Sequence, residues 1–88
     1  MGKNIQNKLI EMLELPKEIN ADVPYLSLMG NEEMVIENYK SILEYNENTI
    51  RVNTTKGVVK IEGRNLQLKE VTNEDIRING IMTRIELG

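Results

Sequence analysis

Cysteine and histidine are both absent from the 88-residue chain. With them go disulfide staples, thiol nucleophiles, imidazole bases and the usual zinc ligands. Tryptophan and phenylalanine are absent too, leaving three tyrosines as the only aromatics, so the core must be built from Ile, Leu, Val and Met. No apolar run approaches the ~18 residues that a membrane-spanning helix needs. The N-terminus carries no apolar signal segment either, so a cytoplasmic protein with no direct membrane span is expected. Neither charge sign dominates: 11 Lys and Arg are interspersed with 14 Asp and Glu. No broad positive field exists to hold a phosphate backbone, and nucleic acid is not an expected partner.

What the chain does contain is alternation. Between residues 48 and 68, apolar residues recur at every second position in Ile50/Val52, Val59/Ile61 and Leu66/Leu68, with turn-like residues between the pairs. A period of two lines one face of a strand and drifts around a helix. The same pattern extends to eight apolar pairs, 26/28, 34/36, 43/45, 50/52, 59/61, 66/68, 76/78 and 85/87, whose starts lie 7 to 10 residues apart. That leaves room for a strand and a tight turn and none for a crossover helix, which excludes a parallel α/β fold.

The expectation is one domain, residues 1–88, mainly β: a small antiparallel meander of about seven or eight short strands over 24–87, curled into a barrel or sandwich. Asn79 and Gly80 read as a type I′ hairpin turn, as do Gly63-Arg64-Asn65 and Thr55-Lys56-Gly57 as turns, and Leu43 and Tyr45 as an inward pair. An irregular β-solenoid is the alternative, favoured by the glycines at strand ends.

Residues 3–15 break the pattern. Ile5, Leu9, Met12 and Leu13 recur with the 3.6-residue period of an N-terminal amphipathic helix, which Pro16 ends. At roughly four turns it would need a surface to lie against. A lipid surface is a poor candidate, because Glu11 and Glu14 offset Lys3 and Lys8.

Reactive chemistry is scarce. Ser27 and Ser41 have no activating motif, Glu32, Glu33 and Glu37 read as solvated carboxylates, and Gly57 and Gly63 flank a strand instead of opening a helix as a phosphate cradle does. The outward row Arg51, Lys60, Glu62, Gln67, Lys69 and Arg77 mixes signs and lacks the aromatic platforms of a single-strand nucleic-acid surface. No catalytic, cofactor-binding or metal-ligating residue is assigned. The candidate interaction residues are Ile5, Leu9, Met12 and Leu13 on the helix, and Glu37, Tyr39 and Tyr45, where tyrosine combines apolar area with a polar tip.

The pieces LELPKEI, MGNEEMVIENYKSILEYNENTIRVNTTKGVVKIEGRNLQLKEV and IRINGIMTRIEL closely resemble the YabP/YqfC family of sporulation proteins, most nearly its YqfC branch. The resemblance covers essentially the whole chain and includes Leu15-Pro16, Gly30, Ile36-Glu37-Asn38, residues 54–57, Ile61-x-Gly63-x-x-Leu66 and Gly80. It departs at Lys40-Ser41, where relatives often have glycine. It implies a protein of the mother cell of a sporulating Firmicute, at the forespore surface or coat, accompanying a membrane-associated sporulation protein. It brings no catalytic residue.

The expected function is therefore a non-enzymatic interaction or assembly module that binds copies of itself or a sporulation partner. The alternative is a small binding or regulatory domain for a cell-wall or membrane-associated ligand, with a concave site beside Glu37, Tyr39 and Tyr45.

Overall fold

The computed structural model describes residues 22–88. They form six antiparallel strands: β1 Tyr25–Met29, β2 Glu33–Glu37, β3 Tyr39–Tyr45, β4 Thr49–Thr54, β5 Gly57–Val71 and β6 Asp75–Leu87. All belong to one sheet in the order β1-β2-β6-β5-β4-β3. Every pairing is antiparallel, which removes the solenoid alternative. The expected barrel or sandwich of seven or eight strands is corrected as well, since the sheet has six strands and does not close: β1 and β3 are its two unjoined edges. No helix occurs among the described residues, and the expected helix at 3–15 lies outside them.

Eight apolar pairs become six strands because the chain continues through two of the expected turns, and bulges account for the changes of parity. In β5 the buried positions change from odd, Val59 and Ile61, to even, Leu66. The chain does not turn there. Between Arg64 and Gln67 it advances three residues while its partner advances two, from Ile81 to Asn79, and Asn65 takes up the extra residue at φ 53°. A bulge swaps the faces of a strand without ending it. In β6 the alternation Ile76, Ile78, Met82 runs straight through Asn79 and Gly80, so the expected type I′ turn is absent. Its parity changes only at Thr83, where a second bulge lets Ile85 pack against the core.

The long β5–β6 hairpin thus has two halves. Beyond its loop, β2 pairs with 75–79 of β6, while β4 pairs with 57–62 of β5 at the other half. The turn after β1 bridges the middle, with Gly80 N donating to Glu32 O at 3.1 Å and Met82 N to Asn31 O at 2.8 Å. The turn after β3 does the same on the other strand, where Gly63 N donates to Asn48 O at 3.0 Å and Leu66 N to Glu47 O at 2.8 Å.

Bending at this middle folds the sheet over. Met34, Ile36, Ile76 and Ile78 of one half then share a single core with Ile50, Val52, Val59 and Ile61 of the other, and Leu66 and Met82 close it at the bend. Each such side chain contributes about 1.5–3 kcal/mol by leaving water.

The expected turn before β5 forms. Thr55 and Lys56 turn the chain into Gly57, with the buried Thr54 hydroxyl donating to Gly57 O and accepting from Lys56 N. Asn46 Oδ1 accepts from the backbone N–H of Asn48 and Thr49, which makes a side-chain-capped turn. The inward pair Leu43/Tyr45 is corrected: both are about half exposed, and Ile42 packs against the core instead. Bulges on either side of Ile42, between Tyr39 and Ser41 and between Ile42 and Glu44, shift the register of β3. β2 ends at Glu37 because the next residue, Asn38, takes a φ of 62°, which asparagine tolerates better than most residues.

The bend depends on glycine. A Cβ at Gly80 would lie 2.6 Å from Asn65 O and 2.8 Å from Leu66 Cα, at a φ of 136° that disfavours side chains. A Cβ at Gly63 would collide with Ile81 O. Gly80→Ala is accordingly expected to cost roughly 2–4 kcal/mol from strain and overpacking. Urea unfolding checks this, with Gly30→Ala as the comparison: that position has a positive φ but open space around it.

Candidate functional site

Acidic side chains do not converge. Glu33 is taken up by Arg77, whose guanidinium it hydrogen-bonds, and Glu70 approaches Arg77 Nε at 3.5 Å. The hydrogen bond and charge of Glu33 raise the Arg77 pKa, with Glu70 adding to the shift. Glu32 lies exposed in the turn, and Glu37 sits at the far end of β2, opposite Tyr25 and Asp75. Among the described residues no group of three or more His, Cys, Asp or Glu could hold a metal ion. Ser27 and Ser41 are both exposed on edge strands.

The expected outward row divides between the two halves of the sheet and neutralises itself. In register across β3, β4, β5 and β6 lie Glu44, Arg51, Lys60 and Glu86. Ion pairs join Arg51 to Glu44 at 3.5 Å, Lys60 to Glu62 at 3.6 Å and Arg84 to Glu86 at 2.8 Å. Such pairs on an exposed face support the sheet modestly and leave no positive field for a polyanion.

Glu37, Tyr39 and Tyr45 do not form one concavity. Tyr39 and Tyr45 stand at opposite ends of β3, roughly 20 Å apart at the rise of a strand. Tyr39 is half-buried, and its hydroxyl donates to Thr72 O at 2.6 Å, which ties β3 to the β5–β6 loop. The Tyr45 hydroxyl accepts from Leu68 N at 3.3 Å while its ring remains half exposed. A polar hollow of about 320 Å³ beside Tyr39 is lined by Asp22, Asn38, Lys40, Asn73 and Glu74, and by neither Glu37 nor Tyr45. Ile5, Leu9, Met12 and Leu13 lie outside the described residues.

The surface that sequence reasoning missed is at the other edge. Among the described residues, β1 pairs only with β2, and the C-terminal part of β6, past its bulge, pairs only with β5. Two cavities are lined by residues of both β1 and this part of β6, the first also by the β4–β5 turn and the start of β5. One, of about 210 Å³, is lined by Val23, Pro24, Leu26, Val58 and Leu87 among others; the next, of about 180 Å³, by Leu28, Met82 and Ile85 among others.

Leu28 is 52% exposed and Leu87 72%. The signal for this site was the uncharged run Tyr-Leu-Ser-Leu-Met of β1. Its alternating leucines read equally well as core.

A family model described as the YabP family matches residues 20–88. The chain is 31% identical over 72 residues to "Uncharacterized protein YqfC" of Bacillus subtilis (strain 168), an alignment covering 82% of this chain and 77% of that protein. No solved structure matches the chain.

The Tyr39 hydroxyl gives a direct test of how the edge β3 is held. Tyr39→Phe removes its bond to Thr72 O and should cost about 0.5–1.5 kcal/mol. The check is a lowered urea midpoint at unchanged slope, with Tyr45→Phe, whose bond is longer, affected less.

Proposed function

The chain belongs to the YabP/YqfC family of sporulation proteins, and on that premise we propose that it is an assembly module that works through its sheet edges, binding copies of itself or a sporulation partner. The family is non-catalytic, and the side chains above offer no nucleophile–base pair.

The observation that carries the reading is where the apolar surface lies. Leu28 and Met29 of β1 and Leu43 and Tyr45 of β3 are all 43–52% exposed, and both strands are unpaired on their outer side among the described residues. Open edges with apolar neighbours invite another chain, and assembly is one way of covering them. A domain of this size also has a thin stability margin that association would widen.

In this reading the module works in the cytoplasm of the mother cell, at the forespore surface or coat, with itself and a membrane-associated sporulation protein as partners. No helix among the described residues is long and apolar enough to cross a membrane; in this reading the partner supplies the membrane contact. Ile5, Leu9, Met12 and Leu13 are the candidate contacts for that partner, and Tyr45 for the sheet.

Two measurements test this. Light scattering over a concentration series should show a mass rising above the monomer; a strict monomer that also fails to associate with any partner would remove the assembly role. Capture from sporulating cells should lose the membrane-associated partner when residues 3–15 are deleted, whereas retention assigns that contact to the sheet.

A further inference from the structure

We propose that the cleft between β1 and the C-terminal part of β6 is an acceptor groove for one extended segment of a different polypeptide, which enters as an added strand. The inference rests on the assembly reading and gives it a place and a partner chemistry.

Both walls of the cleft are strand edges. Among the described residues, β1 bonds only to β2, and past Met82 the edge of β6 that faces away from β5 has no backbone partner. The walls do not pair with each other: Cα atoms of β1 and β6 stand more than 8 Å apart along nearly the whole cleft. Neighbouring strands lie about 4.8 Å apart, so two edges separated by one inserted strand stand roughly 9.6 Å apart. The walls are too far apart for direct closure along most of the cleft, and one inserted strand is the smallest element that would bond to both.

The side-chain spacing agrees. Leu26 and Leu87 border one cavity, and Leu28 and Ile85 the other. On each wall the two positions are two residues apart, the repeat at which a strand presents side chains on one face. The inserted segment would therefore place apolar residues at i and i+2 into the two cavities, with its own N–H and C=O groups bonding to both walls.

That bonding identifies the occupant. A segment paired on both sides must come from outside any sheet. Each of the six strands in a second copy already has a neighbour and can offer one free edge at most. Residues 3–15 carry their apolar side chains at helical spacing, the wrong period for the two cavities. An extended segment of another protein, apolar at alternate positions and free of proline, fits both requirements. β3 is a poorer acceptor, because its bulges interrupt the register and Lys40 and Glu44 charge the strand.

The test is an NMR titration of the full chain with the synthetic peptide acetyl-Thr-Val-Thr-Val-Thr-Val-Thr-amide, and with a control in which aspartate replaces each valine. The expected result is that the valine peptide shifts amides of β1 and of residues 83–87, leaves β3 unchanged, and binds at least tenfold more tightly than the control. Leu28→Asp and Leu87→Asp, at positions exposed enough to keep the fold, should each weaken binding at least tenfold, and Leu43→Asp on β3 should not. An unchanged urea midpoint verifies that each variant is folded.

No binding at millimolar peptide, equal binding of the control, or shifts centred on β3 would overturn the proposal. So would β1 shifts that grow with protein concentration without peptide, which would make a second copy the occupant, or peptide binding that requires deletion of residues 3–15, which would make it the chain's own segment. Partner capture from sporulating cells separates the two levels. If Leu28→Asp abolishes peptide binding and capture persists, the cleft fails as the partner site while the assembly reading stands. If no partner is captured and the chain stays monomeric, the assembly reading fails first.

Discussion

The close approach of β5 and β6 at Gly63 and Gly80 is the contact on which the rest of the molecule depends. Backbone comes so close to backbone there that a Cβ on either glycine would strike the opposite strand. Only that approach lets a two-stranded ribbon of 15 and 13 residues bend sharply enough to bring its halves face to face. In a flat sheet, the face carrying Met34, Ile36 and Ile78 would have nothing to pack on, and neither would that carrying Ile50, Val52 and Ile61. With no Trp or Phe to widen it, the core works because the two halves are held close enough for Ile, Leu, Val and Met to fill the space.

The alternation of apolar residues located most of the buried positions, and the reason it miscounted strands lies in the same residues. Met34, Ile36, Ile50, Val52, Val59, Ile61, Leu66, Ile76 and Ile78 were legible from a period of two, and all nine are buried. A change of parity, however, has two physical causes. A turn ends one strand and begins another with a new phase, whereas a bulge changes the phase within one strand. Gly63-Arg64-Asn65 and Asn79-Gly80 have the composition of turns, so the first cause was the natural inference. What distinguishes the two is whether the partner strand continues, which is a tertiary fact. Thr55 and Lys56 have no ladder to continue into, and there the expected turn forms.

Where the candidate residues would lie on the surface was less legible than the core for a related reason. Tyrosine suggested an interface, yet Tyr39 uses its hydroxyl to tie β3 to the Thr72 carbonyl, and Tyr45 accepts from Leu68 N. Both polar tips fasten an edge to its own molecule. The leucines of β1 looked like core because a strand's alternation cannot say whether another layer covers it. Coverage depends on sheet order, and sheet order turns on the β2–β6 pairing, made far apart in sequence.

The two edges then differ in a way that the similar placement of their hairpins makes informative. β1–β2 and β3–β4 each lie against one half of the central ribbon, and each sends its turn across the bend. One edge is blunted: β3 carries two bulges and two charges, and tyrosine hydroxyls fasten it to the β5–β6 arm. The other is bare among the described residues, five uncharged residues with regular register facing a second open edge across a cleft lined by leucines and also by Lys56 and Arg84. An open, uncharged edge is an aggregation hazard, which is why stable monomers protect theirs. Among the described residues β3 is blunted and β1 is open, so the openness of β1 is not a general property of the sheet's edges. Closure by an incoming strand would satisfy the bare backbone of both walls and bury Leu28 and Leu87 together.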